Sequence, residues 1–486
     1  MAPIGLDARL RELAHERPEH RALVTVDHAG AEETLTWQGL EELSARVAQG
    51  LESAAVDGAV LVPAPTGAEA LANLLGVLRA GATALVVEPS LRPAALEPAV
   101  HAIAQRTGRT VRRLDGDVMA RPQGSDTAPR GPGGGAVLLT GGTSGAPKPV
   151  LRPGAPVWDE ARGAPLLYQR TGWRSGQVQL VAGAWSHAAP YTHLIEAVLS
   201  GNTILAPRLF DPAVVLAAMA RHRPAWTQLT PTHMQLLAPS LAGVPEAVGA
   251  LQGVLHTAGP CAPRTRHAWI EAIGARRLHE MYASTEGIGV TLCRADEWLS
   301  RPDTVGRGFF TRIRIHDEQT GRILPPGQVG TVYMRTSAAP TVTLAGGPAE
   351  RDGYRTVHDL GRLDEAGYLY LEGRADDMVV IGGENVHTDR AAAALLDHAR
   401  VRDAAVVAVP DEVLGNRLVA LVVPVPADPG PDGGPGLTPL ELTTHCLARL
   451  SPRETPGEFR LVGTLDRTAA GKVRREVLER MVEALR

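Results

Sequence analysis

Residues 136–150 read AVLLTGGTSGAPKPV, an apolar run followed by a glycine-rich loop that ends in a lysine. The run Ala136–Leu139 predicts a short buried strand. The loop has no large apolar residue, so it can bring backbone N–H groups and hydroxyls close to a phosphate. Its residues are Thr140, Gly141, Gly142, Thr143, Ser144 and Gly145, and Pro147 stiffens the end that delivers Lys148.

Other interpretations of this loop are open from the stretch alone. Polar, glycine-rich segments are also typical of flexible surface loops. A Walker loop is excluded because no GK[ST] follows at the required spacing. The single serine, Ser144, argues against the glycine-serine loop of amidase-type hydrolases.

Lysine is almost absent from this chain. Of 49 basic residues, only Lys148 and Lys472 are lysines, and the other 47 are arginines. A compact ammonium suits a single oxyanion, whereas a planar guanidinium requires a different geometry. The two lysines are therefore candidate site residues, although chance retention is the alternative. Lys472 follows Gly471 in a turn-like segment, and residues 473–485 predict an amphipathic helix.

Further motifs follow in a fixed order. They are Tyr282-Ala283-Ser284-Thr285-Glu286, Val357-His358-Asp359-Leu360-Gly361, Gly373-Arg374-Ala375-Asp376-Asp377-Met378, Gly382-Gly383-Glu384-Asn385-Val386 and Asp466-Arg467-Thr468-Ala469-Ala470-Gly471-Lys472. Together with the 140–149 loop they resemble the motifs of the adenylate-forming (AMP-binding) superfamily. Within it, residues 256–307 look similar to fatty-acyl and bile-acid-type acyl-CoA ligases.

The chain departs from the family pattern at several motif positions. Gly141 stands for serine, Pro149 for the last glycine of the loop, Ala283 for glycine, His358 for glycine and Asp466 for proline. The segment Trp185 to His193 matches a PLYHNAP-like segment of relatives but lacks its PLY portion. These departures weaken any transfer of acyl specificity from relatives.

The resemblance implies a nucleotide site for ATP and Mg²⁺. In it, Glu286 would hold Mg²⁺, Thr285 would contact the α-phosphate, and the Thr140–Lys148 loop would cover the β- and γ-phosphates. Tyr282, followed by Ala283 and Ser284, would face adenine, with Ala258, Gly259 and Pro260 on its other side. Asp359 and Arg374 would contact the ribose. Lys472 would bridge the acid and the transferring phosphate, and His187 would border the acid pocket.

The fold class expected is α/β. Repeated strand–helix alternation argues for layered sheets with parallel pairing. Local patterns predict helices over 35–51, 68–78 and 211–223 and a buried strand over 82–87. The resemblance implies a large N-terminal domain, 1–374, that binds ATP and acid, and a small mobile α+β C-terminal domain, 375–486, that carries Lys472.

The resemblance also implies a second half-reaction, in which a thiol attacks the acyl-AMP. CoA is the expected acceptor, with Asp376 at the hinge and Gly382 and Gly383 lining the pantetheine tunnel; a tight β-turn is the alternative for the two glycines. A CoA-independent natural-product enzyme stays open, whether it forms an amide, loads a carrier protein or activates nitrite for diazotisation. A P-loop kinase and a degenerate nucleotide-binding protein are less consistent with the motifs.

Composition limits partners and location. A net charge of −4 with no basic run gives no indication of nucleic-acid binding. The three cysteines are widely spaced, which fits a reducing, cytoplasmic location, and Cys261 is interpreted as a packing residue. No stretch reaches the apolar length of a membrane span. Aromatic residues make up only 4%, so a largely aliphatic core and acid pocket are expected.

Overall fold

The structure is a computed structural model of the 486-residue chain. The residues it describes are 2–54, 56, 58–91, 93–114, 118–120, 134–140, 148–337, 341–344, 347–374, 378–425, 436–465 and 475–484. Several residues of the sequence motifs lie outside these ranges. They are residues 141–145, 375–377 and 466–472, which include Gly141, Gly142, Thr143, Ser144, Gly145, Asp376 and Lys472.

The largest sheet has nine described strands and carries most of the motif segments. Its central strands are parallel and its edge pairs are antiparallel. In spatial order the strands are β17 (Arg307–Gly308), β16 (Val290–Arg294), β15 (Leu278–Ala283), β14 (Gly253–His256), β13 (Trp226–Leu229), β11 (Val178–Val181), β12 (Thr203–Pro207), β2 (Arg21–Val26) and β3 (Glu32–Thr36). β13 and β14 are buried throughout, as expected where helices cover both faces.

A second sheet has seven described strands and carries Lys148. In spatial order they are β20 (Val342–Thr343), β9 (Lys148–Pro153), β8 (Gly135–Thr140), β5 (Thr83–Val87), β4 (Ala59–Pro63), β6 (Val111–Arg113) and β7 (Val118–Ala120). The antiparallel pair β8–β9 forms the two arms of the glycine-rich loop, with Thr140 opposite Lys148. A separate two-stranded sheet joins β1 (Ile4–Gly5) and β10 (Val157–Trp158).

Helices pack around and between these sheets. They are α1 (Leu6–Glu16), α2 (Trp37–Ser53), α3 (Ala68–Arg79), α4 (Pro93–Thr107), α5 (Leu166–Arg170), α6 (Ala188–Leu199), α7 (Pro212–His222), α8 (Pro231–Leu237), a 3-10 helix (Ala238–Gly243), α9 (Pro245–Val248), α10 (Pro263–Ile273) and α11 (Ala295–Ser300). One hydrophobic core joins α1, α2, α3 and α6 to strands of both sheets. Among the helices described, none combines the length and the apolar character that crossing a bilayer requires.

A third sheet of six described strands follows α11. Its strands are β18 (Thr311–His316), β19 (Gly330–Thr336), β21 (Ala349–Arg351), β22 (Tyr354–Thr356), β23 (Asp359–Leu363) and β24 (Leu369–Arg374). Ile315, Val332 and Met334 from this sheet pack on Ile288, directly after the YASTE motif. The sheet is thereby docked beside the end of β15.

A separate C-terminal domain has its own core, formed by side chains such as Leu395, Val406 and Leu442. It comprises β25 (Met378–Ile381), β26 (Glu384–His387), α12 (Thr388–Leu396), β27 (Val401–Asp411), β28 (Gly415–Pro424), α13 (Pro439–Leu447), β29 (Glu458–Leu461) and α14 (Arg475–Ala484). The architecture as a whole is mixed α/β, as the sequence predicts.

Two side chains of the N-terminal part hold the C-terminal domain by its main chain. Arg264 Nη1 donates to the carbonyl of His398 at 2.7 Å and Nη2 donates to that of Val401 at 3.0 Å. Gln235 Nε2 donates to the carbonyl of Arg402 at 2.6 Å. α8 and α10 therefore contact the end of α12 and the start of β27 in this arrangement.

The local predictions agree with the structure apart from one helix start. α3, α7 and β5 form where the sequence predicts them. The helix predicted from Leu35 instead begins at Trp37, because Leu35 and Thr36 complete β3. The Thr36 hydroxyl accepts from the N–H of Gly39 at 3.1 Å, an N-cap that fixes this boundary.

Candidate functional site

The motif segments meet at one edge of the nine-stranded sheet. β15, β14, β13 and β11 are neighbouring parallel strands, so their carboxyl ends share that edge. Ligands of open α/β sheets bind outside such an edge. Residues 284–286 follow β15, residues 258–260 follow β14, and His187 follows the loop after β11. At about 4.8 Å per strand, β11 lies roughly 14 Å across the sheet from β15.

Tyr282, Asp359 and Arg374 form a bonded group at this edge. The Tyr282 hydroxyl donates to Asp359 Oδ2 at 2.5 Å. Arg374 lies opposite Asp359 in the β23–β24 pair, with Nε 3.8 Å from Asp359 Oδ1. The predicted adenine-facing and ribose-binding residues are therefore in direct contact, and the carboxylate is held before any ligand arrives.

Tyr282 stays a neutral donor in this group. Burial raises the pKa of its hydroxyl well above the usual range, and the charges of Asp359 and Glu286 raise it further. Arg374 acts in the opposite direction on the same pKa. Glu286 is thus close enough to influence Tyr282 electrostatically.

The 258–260 segment turns sharply after β14. Ala258 has φ of +86°, a backbone conformation that costs a non-glycine residue about 1 kcal/mol or more. Nearby, Gln228 Nε2 donates to Thr257 Oγ1 at 3.0 Å, which joins the ends of β13 and β14. The main chain of the predicted adenine loop is held at a fixed distance from β13.

A buried charged pair lies behind this loop. Arg266 on α10 and Glu280 on β15 are 4% and 7% exposed, and their charged atoms are 2.9 Å apart. The Arg266 guanidinium also stacks on Trp298 at 4.4 Å. Burial raises the pKa of the neighbouring Cys261 thiol to about 12, so it is no nucleophile at neutral pH. This agrees with its interpretation as a packing residue.

The phosphate-loop residues are only partly described. Thr140 ends β8, and Lys148 begins β9 with its side chain exposed. The predicted contacts of Gly141, Gly142, Thr143, Ser144 and Gly145, and the catalytic role of Lys472, lie outside the described residues. The two described ends show where the loop starts and returns.

Two residues that the sequence motifs do not include contact the YASTE segment. The Thr341 hydroxyl donates to the main-chain carbonyl of Glu286. Arg355 Nη2 donates to the carbonyl of Gly287 at 3.0 Å. Main-chain acceptors exist at every residue, so neither contact leaves a motif in the sequence.

The donor set around Glu286 fits a magnesium ion held mainly by phosphates. Its carboxylate is half-buried, and among the described side chains none forms a hydrogen bond or ion pair with it. Mg²⁺ in nucleotide sites binds one or two carboxylates plus phosphate oxygens. The Ser284 hydroxyl is buried without a hydrogen-bond partner within the described part of the chain, so it can donate to a ligand. No group of three or more protein ligands for a metal occurs among the described residues.

His187 lies immediately before α6, at the carboxyl edge of the sheet, whereas an aromatic cluster lies toward the opposite edge, where Trp226 begins β13. His187 N donates to the carbonyl of Ala184 at 3.1 Å. Tyr168, Trp173, His193 and Trp226 pack with ring centroids as close as 4.8 Å, for Trp173 and Trp226. The core as a whole is largely aliphatic, as expected, and this cluster is a local concentration of the few aromatic residues.

Burial shifts the pKa values of two titratable side chains of α6 in opposite directions. It lowers the pKa of His193 to about 3 and raises that of Glu196 to about 7. Both shifts disfavour the charged form, as burial without a close counter-ion does. A fixed charge also contacts this helix, because Arg152 Nη1 donates to the Thr192 hydroxyl at 2.9 Å and its charge lowers the pKa of His193 further.

Gly382 and Gly383 form the tight turn between β25 and β26, with φ of +57° and +86°. A Cβ at Gly382 would lie 3.1 Å from the guanidinium carbon of Arg453. The β-turn alternative therefore describes this segment. Its role in a pantetheine tunnel stays a prediction.

Comparison with known proteins identifies the family. The sequence profile of the AMP-binding enzyme family matches residues 10–107 and 125–342. That of the AMP-binding enzyme C-terminal domain matches residues 392–472. The two profiles together span both domains.

Relatives of this chain include CoA ligases. A sulfoacetate–CoA ligase of Cupriavidus necator is 29% identical over 349 residues, which cover 70% of this chain and 65% of that protein. A 2-succinylbenzoate–CoA ligase of Bacillus licheniformis is 28% identical over 357 residues, 70% of this chain and 69% of that protein. The chain thus spans about two thirds of the length of these relatives.

Solved structures share the fold. An O-succinylbenzoate coenzyme A synthetase from Bacillus subtilis, in complex with AMP, has a TM-score of 0.75 with 20% identity and 98% coverage of both chains. An amide bond synthetase from Marinactinospora thermotolerans has a TM-score of 0.72 with 23% identity, covering 98% of this chain and all of that one. With both profiles and a complete fold in agreement, the chain belongs to the AMP-binding family of adenylate-forming enzymes.

Proposed function

We propose that this enzyme adenylates a carboxylic acid with ATP, releases pyrophosphate and then transfers the acyl group to a thiol, most simply that of CoA. The observation that carries the proposal is the Tyr282–Asp359–Arg374 group beside Glu286, at the carboxyl edge of parallel strands. It offers an aromatic ring, a carboxylate for ribose hydroxyls and a metal-binding carboxylate in one place. The named CoA-ligase relatives support the same chemistry.

The roles in this proposal follow from charge. A carboxylate is an anion that must attack the α-phosphate, so fixed donors have to neutralise charge as the two approach. Thr285, the buried Ser284 hydroxyl and the Thr140–Lys148 loop would supply hydrogen bonds to the phosphates. Glu286 would hold Mg²⁺, which supplies Lewis-acid stabilisation of the triphosphate when bound. Lys472 would position acid and phosphate together.

Asp359 would bind the ribose with the carboxylate that Tyr282 and Arg374 already orient. A carboxylate oxygen can accept more than one hydrogen bond, so the Tyr282 contact leaves acceptor capacity for ribose hydroxyls. Ala258, Gly259 and Pro260 would line the adenine plane opposite Tyr282. We further propose that residues 1–374 and 375–486 act as the two domains of this cycle.

The identity of the acid is the first open choice, and the acid would lie on the side of the edge that His187 borders. The acceptor is the second open choice. A carrier-protein thiol, an amine and nitrite activation are the alternatives to CoA, and the altered Trp185–His193 segment is the observation that keeps them in play.

The experiment is a pyrophosphate-release screen of carboxylic acids and nitrite, each with and without CoA. A CoA-dependent acyl product from one acid is the expected outcome. Turnover without CoA that consumes an added amine would replace the thiol acceptor by an amine. ATP binding with no pyrophosphate from any acid or nitrite would overturn the proposed ligase activity.

A further inference from the structure

The short segment 341–344 connects the two halves of the proposed triphosphate site. Val342 pairs with Leu151 and Thr343 with Val150, and the N–H of Leu344 donates to the carbonyl of Pro149 at 2.9 Å. All three partner residues belong to β9, the strand that starts at Lys148. The segment is therefore attached to the returning arm of the glycine-rich loop.

Thr341, the first residue of this segment, reaches the other half of the site. Its hydroxyl donates to the main-chain carbonyl of Glu286. The fit is close: Gly287 has φ of +60°, and a Cβ on it would lie 2.9 Å from Thr341 Oγ1. One side chain thus spans from the Lys148 strand to the peptide of the proposed metal-binding residue.

Arg355 fixes the next peptide from a different direction. It lies on β22, four residues before Asp359, and donates to the Gly287 carbonyl at 3.0 Å. Two consecutive carbonyls are therefore held, one from the Lys148 sheet and one from the Asp359 sheet. With both held, the backbone that aims the Glu286 carboxylate has little freedom to rotate.

We propose that Thr341 is a positioning residue for the triphosphate site, which sets the Glu286 carboxylate in register with Lys148. The inference rests on the proposed function, since it concerns the same MgATP. The supporting residues must hold a functional group to within about 0.5 Å of its productive position. Loss of a single supporting hydrogen bond is expected to change the binding constant at the site by about fivefold. A hydroxyl that only stabilised the fold would change stability without changing the response to Mg²⁺.

Three variants separate these roles. Thr341→Val removes the hydroxyl at nearly constant shape, and Thr341→Ser keeps the donor. Thr343→Val makes the same substitution two residues along the segment, where the described structure gives the side chain no hydrogen bond. Calorimetry measures ATP binding to each full-length protein over a range of Mg²⁺ concentrations, with no acid present, and thermal unfolding is measured alongside.

For Thr341→Val we expect the Mg²⁺ concentration at half-maximal effect to rise about fivefold, with metal-free ATP binding within about twofold of the parent. Thr341→Ser and Thr343→Val should stay within about twofold of the parent in both measurements. In a pyrophosphate-exchange assay with an accepted acid, Thr341→Val should show the same shift in Mg²⁺ requirement.

An unchanged Mg²⁺ response in Thr341→Val overturns the inference. So does an equal shift in Thr341→Val and Thr343→Val, because that result assigns the effect to packing of the segment. A parent protein whose ATP binding ignores Mg²⁺ overturns both the inference and the proposed metal site. A parent that binds MgATP but activates no acid overturns the ligase proposal alone, while the calorimetric comparison still decides the role of Thr341.

Discussion

The two sides of the sheet edge are built differently. On the nucleotide side, Tyr282, Asp359 and Arg374 contact one another, and Thr341 and Arg355 hold the neighbouring peptides. On the proposed acid side, α6 runs from the edge back toward the amino ends of the strands, and burial shifts the pKa values of His193 and Glu196 in favour of their neutral forms. A ligand common to the whole family needs fixed polar partners, whereas a variable ligand needs only a shape.

Removing the buried Arg266 guanidinium, behind the proposed nucleotide side, should have the largest effect, and that effect is on stability. Arg266→Met leaves Glu280 buried beside Cys261 without its counter-charge, so we expect a loss of about 3–5 kcal/mol in the free energy of unfolding. Chemical denaturation measures it. The double variant Arg266→Met/Glu280→Gln should recover part of this loss, and a double variant as unstable as the single one would contradict the pairing.

Variants of Lys472 test whether one ammonium group contacts both the acid and the transferring phosphate. We expect Lys472→Ala to lower the rate of adenylate formation by roughly 10²–10³-fold, because charge developing between acid and phosphate loses its partner. ATP affinity, measured by calorimetry, should stay within about twofold. Lys472→Arg separates charge from shape: full activity in that variant would refute the argument that lysine is kept where a guanidinium does not fit.

The ribose carboxylate is the next contact to break. Asp359→Ala should weaken ATP binding by about 10–100-fold, the effect expected when hydrogen bonds to a charged acceptor are lost. Tyr282→Phe removes only the hydroxyl that orients this carboxylate, so a smaller change of about fivefold is expected. Calorimetry with ATP measures both, and ATP affinity unaltered in Asp359→Ala would remove the ribose assignment.

The smallest effect concerns the acid side and its dependence on pH. Burial raises the pKa of Glu196 in the folded protein to about 7, above the ordinary value of 4.5. Its stabilising contribution is therefore complete below pH 4.5 and is lost as pH rises through 7. Glu196→Gln should be about 1–2 kcal/mol more stable than the parent at pH 8, with a smaller difference at pH 5. Thermal unfolding across this range checks it; a difference independent of pH would contradict the shift.

The sequence motifs single out the residues of the proposed nucleotide side because the chemistry proposed there depends on side chains of fixed type. Tyr282, Asp359 and Arg374 are far apart in the chain, and the structure places them in contact. Thr341 and Arg355 could not be found this way, because they act on main-chain carbonyls that every residue possesses. A main-chain carbonyl is the same in every residue type, so a sequence pattern cannot reveal these contacts.

The aromatic cluster that includes His193 was harder to predict for a different reason. Overall composition records how many aromatic residues exist but not where they gather, so the cluster around Trp173 and Trp226 was missed. Its members come from α5, the loop after α5, α6 and β13, which only the fold brings together. His358 is a third case: it adopts φ of +65° where relatives have glycine, a backbone strain that the substitution alone could not establish.

The hydrogen bonds from Arg264 to the C-terminal domain affect how far the sequence of that domain can diverge. Apart from a long contact of its own N–H with Asp397 at 3.4 Å, its acceptors are peptide oxygens, as is the acceptor of Gln235. Peptide oxygens persist whatever amino acid evolution installs around them. Side chains of the C-terminal domain at this contact can therefore change, or the domain can be replaced by that of a distant homologue, and the hydrogen bonds from Arg264 and Gln235 can still form.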